Sequence, residues 1–180
     1  SLPTDYRSVD FESFYLVPTE LVTNSTFDSN ITNWSTVSGS PAYNSGGNGR
    51  LRLNAAAASA SLSTVKNKEY RVQVRVMDTS SGGSSLKVQV GTSAAGTQNL
   101  NTTVTVTDFG NGKILDTKFT ATASTTHITL DNDDSNNLDV DFVKVSENIP
   151  PKKLVYITYD DYRRRFLSTA QTNNSDHYGT

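Results

Sequence analysis

A small group of aromatic and polar residues has the chemistry needed to hold a sugar. Trp34 and Tyr43 lie in segments predicted to be loops, and Asn44, Asn48 and Arg50 follow Tyr43 closely. An aromatic ring packs against the apolar face of a sugar, while amide and guanidinium groups donate hydrogen bonds to its hydroxyls. The alternative is that Trp34 belongs to the hydrophobic core, which would leave Tyr43 as the aromatic platform. The candidate carbohydrate site therefore consists of Trp34, Tyr43, Asn44 and Arg50.

An acidic run later in the chain has the oxygen ligands of a calcium loop. Residues 131–134 read Asp-Asn-Asp-Asp. An EF-hand loop needs Gly at its sixth position and Glu at its twelfth, and these positions are Asn136 and Phe142 here. An EF-hand is therefore excluded. We predict a polar turn between strands at 126–130 and 138–145.

Catalytic chemistry has little support in the sequence. His127 lies in a Thr-rich segment and His177 lies near the end of the chain, and neither has a nucleophile motif beside it. The chain contains no G-x-S-x-G motif, no phosphate-binding loop and no cysteine. We predict a protein without enzymatic activity, disulfides or Cys-ligated metals.

The composition favours strands as the elements that position these residues. Ser, Thr and Asn supply 62 of the 180 residues, whereas 34% are hydrophobic and 19% are charged. These polar side chains compete for backbone hydrogen bonds in helices, and branched Thr favours strands. A net charge of −2 provides no basic footprint, so specific nucleic-acid binding is not expected. No stretch approaches the ~20 apolar residues of a membrane span.

Alternating polar and apolar residues identify the strands. From Tyr70 to Val76 every second residue is apolar, and residues 86–90 repeat the pattern after a Ser-Gly-Gly-Ser sequence, which predicts a hairpin. Short strands of this kind joined by turns are typical of an all-β jelly-roll sandwich. The remaining predicted strands are 50–53, 59–65, 101–107, 114–121, 126–130 and 138–145.

Changes in composition divide the chain into three segments. Residues 1–20 are acidic and aromatic, residues 21–147 form the predicted sandwich, and residues 148–180 are rich in Tyr and Arg. A Pro pair at 150–151 fits a boundary. In the last segment, Thr158 can cap a short helix near 159–168, which must dock on a partner surface because so short a helix is unstable alone. Its predicted subunit contacts are Tyr159, Tyr162, Arg163, Arg164, Arg165 and Phe166.

The two ends of the predicted sandwich resemble those of a known family. The segment opens with Asn24, Phe27 and Trp34 and closes with Asp141-Phe142-Val143-Lys144-Val145. These residues are similar to the opening and closing motifs of carbohydrate-binding modules with the galactose-binding-like jelly roll. The chain departs from the family pattern after Asn24, where Ser25 replaces Gly, and at Phe142, where the family has an acidic or amide residue.

This resemblance implies a structural calcium ion that ties the first strand to the last. The family positions correspond to the carboxylates of Asp28 and Asp141, with the carbonyl of Thr26 as a third ligand. Period-two alternation would place Asp141 on the same apolar face as Val143 and Val145, where a carboxylate needs a cation or several donors. The alternatives are that Asp141 accepts backbone hydrogen bonds or lies beside solvent at the sheet edge.

The flanking segments carry a second resemblance. Residues 2–10 and 14–17 of the first flank, spliced to residues 150–166 of the last, are similar to the middle of the head-to-tail adaptor proteins of tailed phages. The resemblance implies that the sandwich is a domain inserted into an adaptor, and it covers about 50 residues in two pieces. Such a protein would form a homo-oligomeric ring in contact with portal and tail proteins.

Two functions follow from these resemblances. The first is a non-enzymatic structural protein of a phage virion, with a projecting sandwich that contacts host-surface glycans or neighbouring virion proteins. The alternative is a carbohydrate-binding module of an extracellular, glycan-active protein, with the flanks as linkers. Residues 152–167 are apolar, aromatic and rich in Arg, whereas linkers are typically rich in Pro, Ser and Gly. This composition favours the virion protein over the module with linkers. Nucleic-acid binding through the arginines at 163–165 is the weakest reading, because Asp160 and Asp161 lie beside them.

Overall fold

A computed structural model describes residues 18–78, 83–107 and 112–149. Within these ranges the chain forms ten strands and one short 3-10 turn, Gly46–Asn48. Eight of the strands overlap those predicted from alternation. The ten strands are β1 Ser35–Ser38, β2 Ala42–Asn44, β3 Arg50–Leu53, β4 Ala56–Ser63, β5 Glu69–Asp78, β6 Ser84–Gly91, β7 Leu100–Val106, β8 Lys113–Thr120, β9 Thr125–Asn132 and β10 Leu138–Glu147.

The strands form two antiparallel sheets that enclose the core. The first sheet has the order β1-β4-β9-β6-β7 and the second has the order β2-β3-β10-β5-β8. Most successive strands lie in different sheets, so the chain crosses repeatedly from one layer to the other. The all-β sandwich predicted from the sequence is confirmed. In this part of the chain no helix is long and apolar enough to cross a bilayer.

The predicted hairpin between β5 and β6 is wrong. β5 pairs with β10 and β8 in the second sheet, whereas β6 pairs with β7 and β9 in the first. A Ser/Gly-rich connection indicates a turn, but it does not determine whether the next strand stays in the same sheet.

The core consists of the inward-facing residues of both sheets. In β5 the side chains of Val72, Val74 and Val76 are fully buried, as the alternation predicted. Tyr70 at the start of β5 stacks on Phe119 of β8, with ring centroids 5.4 Å apart. Each fully buried side chain of this size contributes roughly 1.5–3 kcal/mol to stability. Because Val72, Val74 and Val76 point into the core, the polar residues that alternate with them face outward.

The opening segment runs beside β10 and joins the first described residues to the last strand. Glu20 forms an antiparallel bridge with Ser146. The N–H of Leu21 donates to the carbonyl of Val145 and the N–H of Val143 donates to the carbonyl of Ser25, each at 2.8 Å. The two ends of segment 21–147 therefore lie side by side, which is the geometry that an inserted domain requires. The division of the chain at residues 20 and 148 stays a prediction.

The predictions for both flanks fall on chain that the structure does not describe. Residues 1–17 and 150–180 lie outside the described ranges. The helix near 159–168 and its proposed contact residues therefore stay predictions: Tyr159, Tyr162, Arg163, Arg164, Arg165 and Phe166.

Candidate functional site

The outer surface of the second sheet gathers arginines, amides and one aromatic ring. The β5 valines point into the core. The side chains of Arg71, Gln73 and Arg75, which alternate with them, therefore point to this surface. Neighbouring strands add residues on the same side, because Asn44 lies opposite Arg50, and Phe142 lies opposite Arg75. We call this surface the arginine face, and its central residues are Asn44, Arg50, Arg52, Arg71, Gln73, Arg75, Asp139, Asp141, Phe142 and Lys144.

A bulge in β10 places Asp141 on the arginine face. Val140 pairs with Val76, but the next residue to pair is Phe142, opposite Arg75, so Asp141 is an extra residue in the strand. In a regular strand Val140 and Val143 would face opposite sides, but the extra residue reverses the alternation and both are buried in the core. The prediction that Asp141 shares the apolar face of Val143 is therefore wrong. Its carboxylate turns outward toward arginines.

Asp139 is the buried acceptor around which the β2 and β3 side chains are arranged. Its carboxylate accepts hydrogen bonds from Arg52 Nε at 2.8 Å, from Arg52 Nη2 at 3.0 Å and from Asn44 Nδ2 at 2.7 Å. The hydrogen bonds that Arg52 donates to the Asp139 carboxylate raise the pKa of Arg52. A carboxylate with no exposed surface would be costly without these donors. The pairing fixes the positions of Asn44 and Arg52.

Arg50 lies between the two aspartates without a close hydrogen bond to either. Its Nη1 is 3.9 Å from Asp139 Oδ2, and its Nε is 3.6 Å from Asp141 Oδ1. The Nε is buried and has no hydrogen-bond partner among the described residues. Asp141 instead accepts a hydrogen bond from Arg75 Nη1 at 3.1 Å. Arg50 is therefore the guanidinium on this face whose hydrogen-bonding capacity is least used.

Phe142 supplies the aromatic ring of the face, although it is not among the site residues predicted from the sequence. It is half-buried and follows the bulge directly, and the ammonium of Lys144 lies 5.1 Å from its ring centroid. Ile114 of β8 lies opposite Arg75 and is 56% exposed, so it extends the apolar surface across the sheet. The signal was present in the closing motif, where an aromatic residue replaces the polar residue of the family pattern.

The structure brings together two of the four predicted carbohydrate-site residues. Asn44 and Arg50 are cross-strand partners on the arginine face. Trp34 is buried and packs against Phe27, with ring centroids 5.5 Å apart, so its role as a platform is wrong and the core alternative holds. Tyr43 lies opposite the buried Leu51, on the other side of the sheet from Asn44. Its hydroxyl donates to the carbonyl of Asp28 at 3.1 Å.

The residues proposed to bind calcium do not fit a calcium site as they are arranged. Thr26 and Asp28 are exposed. The carboxylate of Asp141 faces the guanidinium groups of Arg50 and Arg75, which a cation would have to displace. In the described ranges, no group of three or more Asp, Glu, His or Cys residues could hold a metal ion. Backbone hydrogen bonds from β10 to the opening segment already make the connection that the calcium ion was expected to provide.

The outer surface of the first sheet carries the remaining titratable candidates. The predicted turn between β9 and β10 is present, but Asp131 and Asn132 belong to the end of β9 and only Asp133 and Asp134 follow the strand. Asp133 pairs with Lys87. Burial and the neighbouring charge of Asp133 raise the pKa of Asp131. His127 lies opposite Ser61, but no hydrogen bond joins their side chains within the described residues. The pair therefore lacks the contact that activates a serine nucleophile.

Solved structures of carbohydrate-binding modules share this fold. No family model and no curated protein matches the chain. The xylan-binding CBM22-1 domain of Xyn10C from Paenibacillus barcinonensis is 17% identical, with a TM-score of 0.57 over 72% of this chain and 95% of that domain. The two sheets therefore form a jelly-roll sandwich similar to the fold of this domain.

Two further neighbours extend this likeness. The C-terminal family 22 module of Clostridium thermocellum Xyn10B is 15% identical, with a TM-score of 0.54 over 71% of this chain and 94% of that module. TmCBM61, solved with β-1,4-galactotriose, is 12% identical, with a TM-score of 0.54 over 72% of this chain and 99% of that one. At these identities the likeness shows the fold alone. Nothing in the comparisons supports the phage-adaptor resemblance.

Proposed function

We propose that the sandwich is a non-catalytic carbohydrate-binding module that holds a glycan across the arginine face. The observation that carries the proposal is the position of Phe142. Its ring lies outward on the sheet, between Arg75 on the neighbouring strand and Lys144 on its own. A sugar ring stacked on Phe142 would have hydrogen-bond donors within reach on both sides.

The donors around Phe142 are held in place before any ligand arrives. Asp139 fixes Arg52 and Asn44, and Asp141 fixes Arg75. Side chains that are already ordered lose little conformational entropy when they bind a ligand, so more of the interaction energy appears as affinity. The fold places the site on strands rather than on loops, which favours a fixed geometry.

The size of the face fits several consecutive sugar units. The arginine face runs across all five strands of the second sheet, from Asn44 on β2 to Ile114 on β8. Neighbouring strands are about 4.8 Å apart, so the face extends roughly 19 Å across the sheet. A binding module for a polysaccharide chain of an extracellular, glycan-active protein is the context that this surface favours.

A second context is favoured by the bridge between Glu20 and Ser146. Because the entry and exit of the sandwich are adjacent, the module can be inserted into a loop of another domain without separating the parts of that domain. In the adaptor hypothesis this domain would be the virion ring protein, and the sandwich would project from the ring toward host glycans or neighbouring virion proteins. The arginine face would bind a glycan in either context.

Affinity electrophoresis in gels that contain soluble polysaccharides tests the proposed function. Phe142→Ala should reduce affinity for a retarding polysaccharide at least tenfold, which corresponds to about 1.4 kcal/mol. Ser61→Ala, an exposed change on the outer surface of the first sheet, is the matched control and should leave retardation unchanged. Equal losses in both variants, or no retardation by any polysaccharide, would contradict the proposal.

A further inference from the structure

We infer that the glycan recognised by the arginine face is acidic, a polysaccharide that carries the carboxylates of hexuronic acid units. This inference rests on the proposed function and specifies its substrate class. It follows from an excess of positive charge at the centre of the face. The guanidinium groups of Arg50, Arg52 and Arg75 lie against the two carboxylates there, Asp139 and Asp141, and Lys144 adds a fourth described cation beside Phe142.

The two carboxylates are already used by two of the cations. Arg52 forms a two-pronged hydrogen-bonded pair with Asp139, and Arg75 donates to Asp141. Arg50 donates no side-chain hydrogen bond to the described residues, and its buried Nε, 3.6 Å from Asp141 Oδ1, has no hydrogen-bond partner among them. A buried donor without an acceptor is unfavourable, so the arrangement favours an incoming acceptor.

Lys144 adds a second cation whose charge is not balanced. It is exposed, makes no ion pair with a described residue, and its ammonium lies 5.1 Å from the Phe142 ring centroid. A cation–π contact at an exposed site is weak, so a carboxylate can replace it. A sugar unit stacked on Phe142 would therefore meet the ammonium beside it.

The excess is local to the surroundings of Phe142. Towards β8 the charges of the same face are paired one to one, with Arg71 on Asp116 and Lys118 on Glu69. The whole chain carries a net charge of −2, so general basicity does not account for the central patch. A planar guanidinium matches a carboxylate through two parallel hydrogen bonds between opposite charges, whereas a neutral hydroxyl has a single oxygen and no charge.

A polysaccharide fits this patch better than a nucleic acid does. Binding a phosphate backbone requires Lys and Arg residues spread along the strand's path, whereas the two cations that exceed the carboxylates of this patch, Arg50 and Lys144, both lie on the second sheet near Phe142. The patch also offers a single ring, where single-stranded nucleic acids are held by several stacked aromatics. Nucleic-acid binding is retained as an outcome of the test.

The test compares matched acidic and neutral ligands with the full chain. Polygalacturonate and alginate are each measured beside a form whose carboxylates have been methyl-esterified or reduced, with β-1,4-galactan as a neutral reference. We expect at least one acidic polymer to bind tenfold or more tightly than its neutral form. We also expect its affinity to fall as NaCl rises from 50 to 500 mM, since screening weakens exposed charge pairs.

Variants separate charge recognition from loss of folding. Arg50→Gln and Lys144→Gln should each weaken binding of the acidic polymer at least fivefold, with the melting temperature of Lys144→Gln unchanged because Lys144 is exposed. Lys118→Gln, whose lysine is paired with Glu69 on the same face, is the control and should bind as the parent does.

Each contrary outcome has a distinct meaning. Equal affinity for the acidic and neutral forms would overturn the acidic-ligand inference and leave the carbohydrate-binding proposal standing. Binding to no polysaccharide would overturn the proposed function as well. Tighter binding of single-stranded DNA than of any polyuronate, with the same loss in Lys144→Gln, would also overturn the inference.

Discussion

Asp139→Ala tests how the arginine face is held together. The Asp139 carboxylate is fully buried and accepts two hydrogen bonds from Arg52 and one from Asn44. The variant leaves a guanidinium and an amide without their acceptor. We therefore expect a lower free energy of unfolding and a less ordered face.

The size of the loss follows from burial. Removing one partner from a fully buried ion pair costs about 3–5 kcal/mol. The side chain of Arg52 is 34% exposed, so water can replace part of what Asp139 provides once that carboxylate is gone. We expect a loss of about 2–3 kcal/mol, in line with several hydrogen bonds to a charged group. For a domain of this size the melting temperature should fall by roughly 6–12 °C.

Urea denaturation followed by circular dichroism measures this loss. The matched control is Asp116→Ala, which removes an exposed carboxylate paired with Arg71 on the same face and should cost less than about 1 kcal/mol. A double-mutant cycle with Arg52→Met should give a coupling energy of about 1–2 kcal/mol. If Asp139→Ala costs no more than Asp116→Ala, or if the double variant is additive, Asp139 does not organise the face.

Three further predictions concern other parts of the sandwich. Because burial and Asp133 raise the pKa of Asp131, Asp131→Asn should raise the melting temperature at pH 7, with the gain lost below about pH 4; a gain independent of pH would contradict this. Gly49 has φ +93° and a Cβ there would lie 2.3 Å from the Phe27 carbonyl, so Gly49→Ala should cost about 1–3 kcal/mol in urea denaturation, and an unchanged midpoint would refute it. The calcium prediction is tested by comparing the melting temperature in calcium with that in EDTA. We expect no difference, because Arg50 and Arg75 lie against Asp141, and a higher melting temperature in calcium would support the calcium site.

The strands that could be predicted are those with one buried face. In β5 the valines and the polar residues alternate without interruption, so the strand and its inward side both follow from the sequence. β1 and β2 could not be found in this way, because the described side chains of Ser35–Ser38 are all exposed and β2 is three residues long. In β4 residues 56–60 are all buried, so no alternation marks the start of the strand.

The candidate site was only partly predictable because its geometry depends on pairing between distant strands. Asn44 and Arg50 were selected for their chemistry, and the β2–β3 hairpin brings them together. Asp139 lies 95 residues from Asn44, so their contact leaves no local signal. The bulge at Asp141 reverses the direction of the side chains on one side of it, and no turn or glycine in the sequence marks that position.

An NMR titration locates the bound ligand on the structure. A heteronuclear NMR titration of the labelled chain with an oligosaccharide of the bound polymer reports which backbone amides shift. We predict that the largest shifts lie on the arginine face, at Arg50, Arg75 and Phe142, while residues such as Ser61 and His127 on the first sheet stay unchanged. Shifts concentrated on the outer surface of the first sheet, or none on the arginine face at saturating ligand, would contradict the assignment of this face as the glycan site.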